Sequence, residues 1–294
     1  MDQLLQQLVN GLSLGSIYAL IALGYTMVYG IIQLINFAHG DVYMVGAYVG
    51  YFSMSALRLG FFESLLLAML VCMVLGVVIE RVAYKPLRNS TRIAVLITAI
   101  GVSLLLEYGM MFFVGADVRS YPQLPEWMSV SFKVGPAIVG VKDLLIIGVS
   151  ITLMALLQFI VRKTKIGKAM RAVSQDPEAA RLMGIDVNNT ISFTFAIGSA
   201  LAGAAGVLVG VYYNSINPLM GIMPGLKAFV AAVFGGIGLI PGALLGGYVI
   251  GWVETFMSGY GFSLFKDAGV FAILIAILIV KPSGLLGRNV REKV

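Results

Sequence analysis

Charge is scarce in this chain. Asp, Glu, Lys and Arg make up 12% of its 294 residues, where soluble domains carry about 25%. Cysteine is nearly absent. Cys72 stands alone in an apolar run, which excludes an intrachain disulfide and a cysteine metal cluster and fits a small core residue. His39 is the single histidine, and alone it gives no metal site and no triad. The phosphate-loop pattern GxxxxGK[ST] is missing, since Gly167-Lys168 lacks both the upstream glycine and the following hydroxyl. HExxH is missing too, and Gly11-Leu12-Ser13-Leu14-Gly15, which has the letters GxSxG, lies within a long apolar run and not at a strand-to-helix turn, which argues against an intramembrane enzyme. We expect no catalytic residues, no metal and no cofactor. Asp2 comes with no basic leading region, so a cleaved signal peptide is not expected.

What the chain has in abundance is apolar surface: 59% of residues are hydrophobic and the mean hydropathy is +0.95. A water-soluble core cannot hide so much. Runs of about 20 apolar residues are the signature of membrane-spanning helices. They lie near 6–30, 41–57, 62–82, 93–114, 141–161, 190–213, 225–240, 241–258 and 267–281. The expected fold class is all-α: a polytopic integral membrane helix bundle of eight or nine spans, forming one domain over 1–294. Nine spans would put the N-terminus outside, eight inside. Pro224 and Pro241 interrupt the glycine-rich 225–258 region, so broken or re-entrant helices are expected there or in 6–30.

The net charge of +6 does not point to nucleic acid, because the excess sits in loops beside the spans. Lys and Arg in short loops mark the cytoplasmic side. Arg81, Lys85, Arg88 and Arg92 place one connection there, Arg162 to Arg171 another, and Lys281, Arg288, Arg291 and Lys293 the C-terminal tail. In 115–140 the charges of Asp117, Arg119, Glu126 and Lys133 cancel, and Pro122, Pro125 and Trp127 suit an external loop with an interfacial aromatic. Small residues recur every four positions, as in Gly11/Gly15, Gly206/Gly210, Gly238/Gly242/Gly246 and Gly247/Gly251. That spacing lets helix backbones approach closely, within the subunit or at a subunit interface.

The segment 166–186 is polar and built like a short capped helix. Asp176 suits an N-cap, Pro177 the first helical position, Glu178 the positive end of the helix dipole and Gly184 a left-handed C-cap. Arg181 stands three residues after Glu178, within pairing reach. Ala179, Ala180, Leu182 and Met183 are then available for contact. Physics alone also allows an ordinary surface turn between two spans.

Polar residues inside the spans need a reason, because a mid-bilayer charge costs about 2.5–3.5 kcal/mol on insertion scales. Asn36, His39 and Asp41 cluster where the first span gives way to the second, and Glu107, Lys227 and Glu254 lie in later spans. Each is a candidate for the lining of a pathway, or for an interfacial turn or packing ion pair. Ile35-Asn36-Phe37-Ala38-His39-Gly40 echoes Ile216-Asn217-Pro218-Leu219-Met220-Gly221. An internal repeat, inverted or parallel, would place Asn36 and Asn217 in equivalent positions.

Several stretches together resemble the permease subunits of bacterial branched-chain amino-acid ABC importers, in particular the LivH-type half of the permease pair. They include Gly15-Ser16-Ile17-Tyr18-Ala19-Leu20, Gly24 to Ile32, Ile35-Asn36-Phe37-Ala38-His39-Gly40-Asp41 and Glu80-Arg81-Val82-Ala83-Tyr84. Further along are Ile216-Asn217-Pro218, Lys227-Ala228-Phe229, Gly235-Gly236-Ile237-Gly238, Pro241-Gly242-Ala243 and Lys281-Pro282-Ser283-Gly284-Leu285-Leu286-Gly287. The resemblance spans nearly the whole chain and is weakest at 53–75 and 115–140. It implies import of leucine, isoleucine or valine across the bacterial inner membrane. It also implies a second related permease, two cytoplasmic ATPase subunits and a periplasmic amino-acid-binding protein as partners. Glu178-Ala179-Ala180 with Gly184 is similar to a short form of the importers' Glu-Ala-Ala motif, so the resemblance makes 166–186 the ATPase-coupling segment. A self-sufficient secondary transporter, with Asp41, Glu107 and Glu254 as ion-site candidates, is the competing reading.

Overall fold

The computed structural model describes residues 2–88, 90–122 and 124–287; the tail arginines Arg288 and Arg291 and Lys293 lie outside the described residues. It is an all-α bundle. Among the described residues, seven helices are long and apolar enough to cross a membrane. In chain order the helices are α1 (Asp2–Ile32), α2 (His39–Ser55), α3 (Phe61–Ile79), α4 (Arg92–Val114), α5 (Val141–Lys163), α6 (Lys165–Gln175) and α7 (Pro177–Leu182). They continue as α8 (Val187–Tyr213), α9 (Ile222–Gly235), α10 (Ile240–Gly259) and α11 (Lys266–Val280). A π-helical turn, Glu80–Tyr84, extends α3.

The expected break falls where the prolines and glycines suggested. Chain 225–258 divides into α9 and α10 around Gly236, whose φ of 107° favours glycine. At 14 residues, α9 is about 21 Å long, short of the ~30 Å hydrocarbon core. The region 6–30 is unbroken, and the interruption comes after it, at 33–38. There the chain leaves α1, runs without helix, and only then enters α2.

The 115–140 loop carries more structure than its composition suggested. Strand β1 (Arg119–Ser120) pairs antiparallel with β4 (Ser215–Ile216), and β2 (Ser131–Val134) forms a hairpin with β3 (Ala137–Gly140). The Gln6 side chain of α1 both donates to the Ile138 carbonyl (3.0 Å) and accepts from the Ile138 amide (2.8 Å). So α1 begins on the hairpin face. It ends opposite, where Ile31 to Leu34 share a cleft with Lys85, Arg88 and Arg181. On this basic face lie α6 and α7.

The packing has a two-fold logic. α1 lies along α10, and α3 lies along α8. The short α2 is wedged on α3 and α8, and the short α9 on α10 and α1. On the outside, α4 leans on α2 and α11 on α9 and α10. The first four helices therefore match the last four, with α1, α2, α3 and α4 corresponding to α8, α9, α10 and α11. The two sets run oppositely, because α1 descends from the hairpin face whereas α8 rises to it and ends beside β4. The repeat is thus inverted.

The glycine stripes serve these contacts. Gly15 faces the backbone of Gly247 and Tyr248 across the α1–α10 seam, and Gly46 of α2 faces Gly203 of α8. Gly203 also abuts Cys72, whose thiol donates to the Val42 carbonyl at 3.4 Å. The sulfur is a core atom in the α2–α3–α8 packing. The stripes named in the sequence are therefore used inside this chain.

Candidate functional site

The two sequence echoes become two copies of one backbone turn. The His39 amide donates to the Asn36 carbonyl and the Met220 amide to the Asn217 carbonyl, both at 3.1 Å. Asp41 N–H donates to Ala38 and Ile222 N–H to Leu219 in the same register. Each turn launches a short helix, and the two helix starts meet. A Cβ on Gly40 would stand 2.5 Å from the Gly221 carbonyl oxygen and 3.1 Å from the Gly225 Cα. Only residues without side chains permit so close a crossing.

The asparagines are equivalent in the fold but do not share a site. Asn36 is buried and accepts from the Tyr84 hydroxyl at 2.9 Å. Asn217 is half-buried and caps its own turn, accepting from the Leu219 amide at 3.0 Å. His39 is buried against Gly24 of α1 and edge-on to Tyr25, ring centroids 4.8 Å apart. No group of three metal-ligating side chains occurs among the described residues.

Asp41 and Glu107 are brought together. Asp41 is 2% and Glu107 6% exposed. Their carboxyl groups lie side by side, and the Ser103 hydroxyl donates to Asp41 at 2.5 Å. All three line a cavity of about 380 Å³ between α2, α4 and α9. Ser103 was not singled out in the sequence, although it sits one turn before Glu107 and so shares its face.

Lys227 and Glu254 are also joined, at 2.9 Å. The cluster extends to α11, where Asp267 reaches Lys227 at 2.6 Å and Lys266 reaches Glu254 at 3.3 Å. The Tyr18 hydroxyl of α1 donates to Glu254 at 2.6 Å. Each charge thus has an opposite partner, as burial requires. Sequence reading missed Asp267, Lys266 and Tyr18, because contacts across four helices leave no spacing signal.

A third cluster was missed altogether. Glu80, fully buried, pairs with Arg88 and accepts from Ser192 of α8 at 2.5 Å, while Arg88 also donates to Asn188 at 2.7 Å. Arg88 was read only as a topology marker. The pair ties the end of α3 to the start of α8.

The 166–186 segment is built as capped helices. Thr164 accepts from the Gly167 amide at 3.1 Å and opens α6, whose Gly167, Met170 and Val173 are buried. Asp176 Oδ1 accepts from the Glu178 and Ala179 amides, each at 2.9 Å, and opens α7 after Pro177. Gly184 closes it at φ 81°, and the Ile185 amide returns to the Ala180 carbonyl at 3.0 Å. Two expectations need correcting. Ala180 is buried against the bundle and unavailable for contact, and Arg181 makes no ion pair with Glu178 among the described residues but faces the cleft holding Lys85 and Arg88. Leu182 and Met183 are the free apolar pair, at 89% and 82% exposure.

An inverted bundle of spanning helices, with two short helices meeting inside it and buried charges beside their crossing, defines a multi-pass membrane protein of the transporter type. The chain belongs to the family described as branched-chain amino acid transport system / permease component, which matches residues 7–280. It is 45% identical to the high-affinity branched-chain amino acid transport system permease protein LivH of Salmonella typhimurium, covering 99% of this chain and 97% of that one. It is 42% identical to the corresponding protein BraD of Pseudomonas aeruginosa, with 99% and 98% covered. A probable branched-chain amino acid transport permease protein LivH of Methanocaldococcus jannaschii is 31% identical, with 92% and 89% covered.

Proposed function

We propose that this chain is a permease subunit of an ATP-driven importer of branched-chain amino acids, acting as one membrane domain over 1–294 in a bacterial inner membrane. It forms half of a translocation pathway with a second, related permease. A periplasmic binding protein delivers the amino acid, and two cytoplasmic ATPase subunits supply the work. Names carried by full-length relatives support the transport system and the substrate class.

One observation carries the coupling role. Leu182 and Met183 project from a doubly capped helix on the basic face, where an exposed apolar pair serves a partner surface. α6 packs on α5, α8 and α1, so displacement of α7 is transmitted into three spans. Asp176, Pro177, Glu178, Ala179 and Gly184 set the shape of this lever, and Ala180 anchors it. Among the pathway candidates, Asp41 and Glu107 face one cavity and Lys227 and Glu254 another, of about 250 Å³, while Asn36, His39 and Asn217 hold the surrounding elements in place.

Replacing both Leu182 and Met183 by serine tests this reading. The variant should reach the membrane in normal amount, lose co-purification with the ATPases, and lose ATP-dependent leucine uptake. Normal assembly and uptake would refute the docking role. Uptake by the purified chain alone in liposomes, driven by an ion gradient, would refute the importer reading itself.

A further inference from the structure

We infer that the cavity between α2, α4 and α9 is a transit site for the ammonium end of an aliphatic amino acid; this rests on the import of amino acids proposed above. Asp41 and Glu107 differ from the other buried acids. Glu80 has Arg88, and Glu254 has Lys227 and Lys266; Asp143 has no cation but stands alone at the start of α5, where it accepts from the Gly140 amide at 3.1 Å. Among the described residues no cation pairs with Asp41 or Glu107. Beyond the neighbouring Asp41 carboxyl, Glu107 has no hydrogen-bond partner among them, although it is 94% buried on an exposure of 6% and lines the cavity.

A buried carboxylate without a counter-charge is costly, and two side by side are more so. Either the pair shares a proton or a cation visits. The cavity leaves room for the second. It holds about 380 Å³, far more than the ~30 Å³ share of one water, so it is roomier than a shared proton needs. Its walls are mainly Phe37, Ile100, Leu104, Ile222 and Leu226, with the Tyr25 ring. A divalent cation would want six or more oxygen ligands. Asp41, Glu107 and Ser103 provide too few, and the apolar walls add none.

A primary ammonium needs less. It carries three donors on one compact charge, which two carboxyl groups and a hydroxyl can receive. The aliphatic walls then take the side chain attached to it. An aliphatic amino acid presents both features on adjacent carbons. The position is at mid-depth: Ser103 is midway along α4, and Asp41 stands beside the Gly40–Gly221 crossing. A visiting substrate there would sit where the two halves of the inverted repeat touch.

The test uses the permease pair with its ATPases, without the binding protein, in detergent. Two fragments of leucine serve as probes: 3-methylbutylamine, which keeps the ammonium, and 4-methylpentanoate, which keeps the carboxylate. The amine should raise the melting temperature in a concentration-dependent way, and the carboxylate should not. Asp41→Asn and Glu107→Gln should abolish that shift and slow ATP-driven leucine uptake by tenfold or more once the binding protein is restored. Should either variant fail to assemble, Leu104→Trp fills the cavity from its wall and should remove the amine shift while both acids remain. Equal shifts from the two fragments would overturn the site, as would an amine shift surviving in these variants. A wild-type complex that takes up no leucine with ATP would instead overturn the importer reading.

Discussion

The crossing of Gly40 and Gly221 allows a worked prediction. An alanine at Gly40 adds a Cβ 2.5 Å from the Gly221 carbonyl oxygen, where ordinary contacts begin at 3.4 Å. The obstacle is backbone, so no side chain can rotate away, and the two helix starts must part by about 0.9 Å. Gly40 has no positive φ, so the cost is steric and not conformational. Overpacking of this kind costs about 1–3 kcal/mol. On the scale of soluble domains of 150–250 residues that is roughly 2–12 °C in melting temperature. The assay is a melting series of the detergent-solubilised protein followed by size-exclusion fluorescence. Gly101→Ala and Gly148→Ala are the controls, since both glycines are helical with nothing within 4 Å of the added carbon. They should melt at or above the wild type. Gly221→Ala should fall with Gly40→Ala, and the double variant by less than the sum, because both fill one contact. If Gly40→Ala melts with the Gly101 control, the close crossing is not what holds these helices.

Other expectations follow from the same contacts. Lys227→Met takes one of two cations from Glu254 and the one that Asp267 has, and should destabilise by about 1–3 kcal/mol; adding Glu254→Gln and Asp267→Asn should restore part of the loss in the same melting assay. Asp176→Ala removes the one oxygen that accepts from the Glu178 and Ala179 amides and should cost α7 about 0.5–2 kcal/mol, seen as faster hydrogen exchange over 177–183 with α8 unchanged. Gly184→Val forces a branched residue into φ 81° and should weaken ATPase binding in pull-down without lowering membrane insertion. Tyr84→Phe removes one buried hydrogen bond to Asn36 and should cost about 1 kcal/mol; a loss above several would show a larger role for that link.

The helices and their caps were legible because their signals are local. Apolar length gave nine segments, each of which is helical, though seven helices and not eight or nine are long enough to cross among the described residues. Pro and Gly gave the break before α10, and Asp176-Pro177 with Gly184 marked both ends of α7. The echo between Asn36 and Asn217 was visible, but its sense was not: an inverted and a parallel repeat leave the same letters, and only the direction of α1 against α8 separates them. Lys227 and Glu254 stood out as costly charges, yet their 27-residue spacing says nothing of contact. Glu80, Ser192 and Arg88 show the other limit. Near a membrane surface a charged residue reads as a topology marker whether or not it is buried, so a structural ion pair hides among loop charges.

The two outermost helices, α4 and α11, turn large apolar faces away from the bundle, with Ile97, Leu105, Phe112 and Phe113 on one and Ile275, Ile279 and Val280 on the other. Acyl chains solvate such faces as well as protein does, so oiliness alone gives neither helix a reason to stay. Each is instead latched inward through a polar bond to a half-length neighbour, Ser103 to Asp41 and Asp267 to Lys227. Each side wall of the molecule is thus fastened by a few buried polar bonds, and substitutions at those bonds should loosen a whole wall.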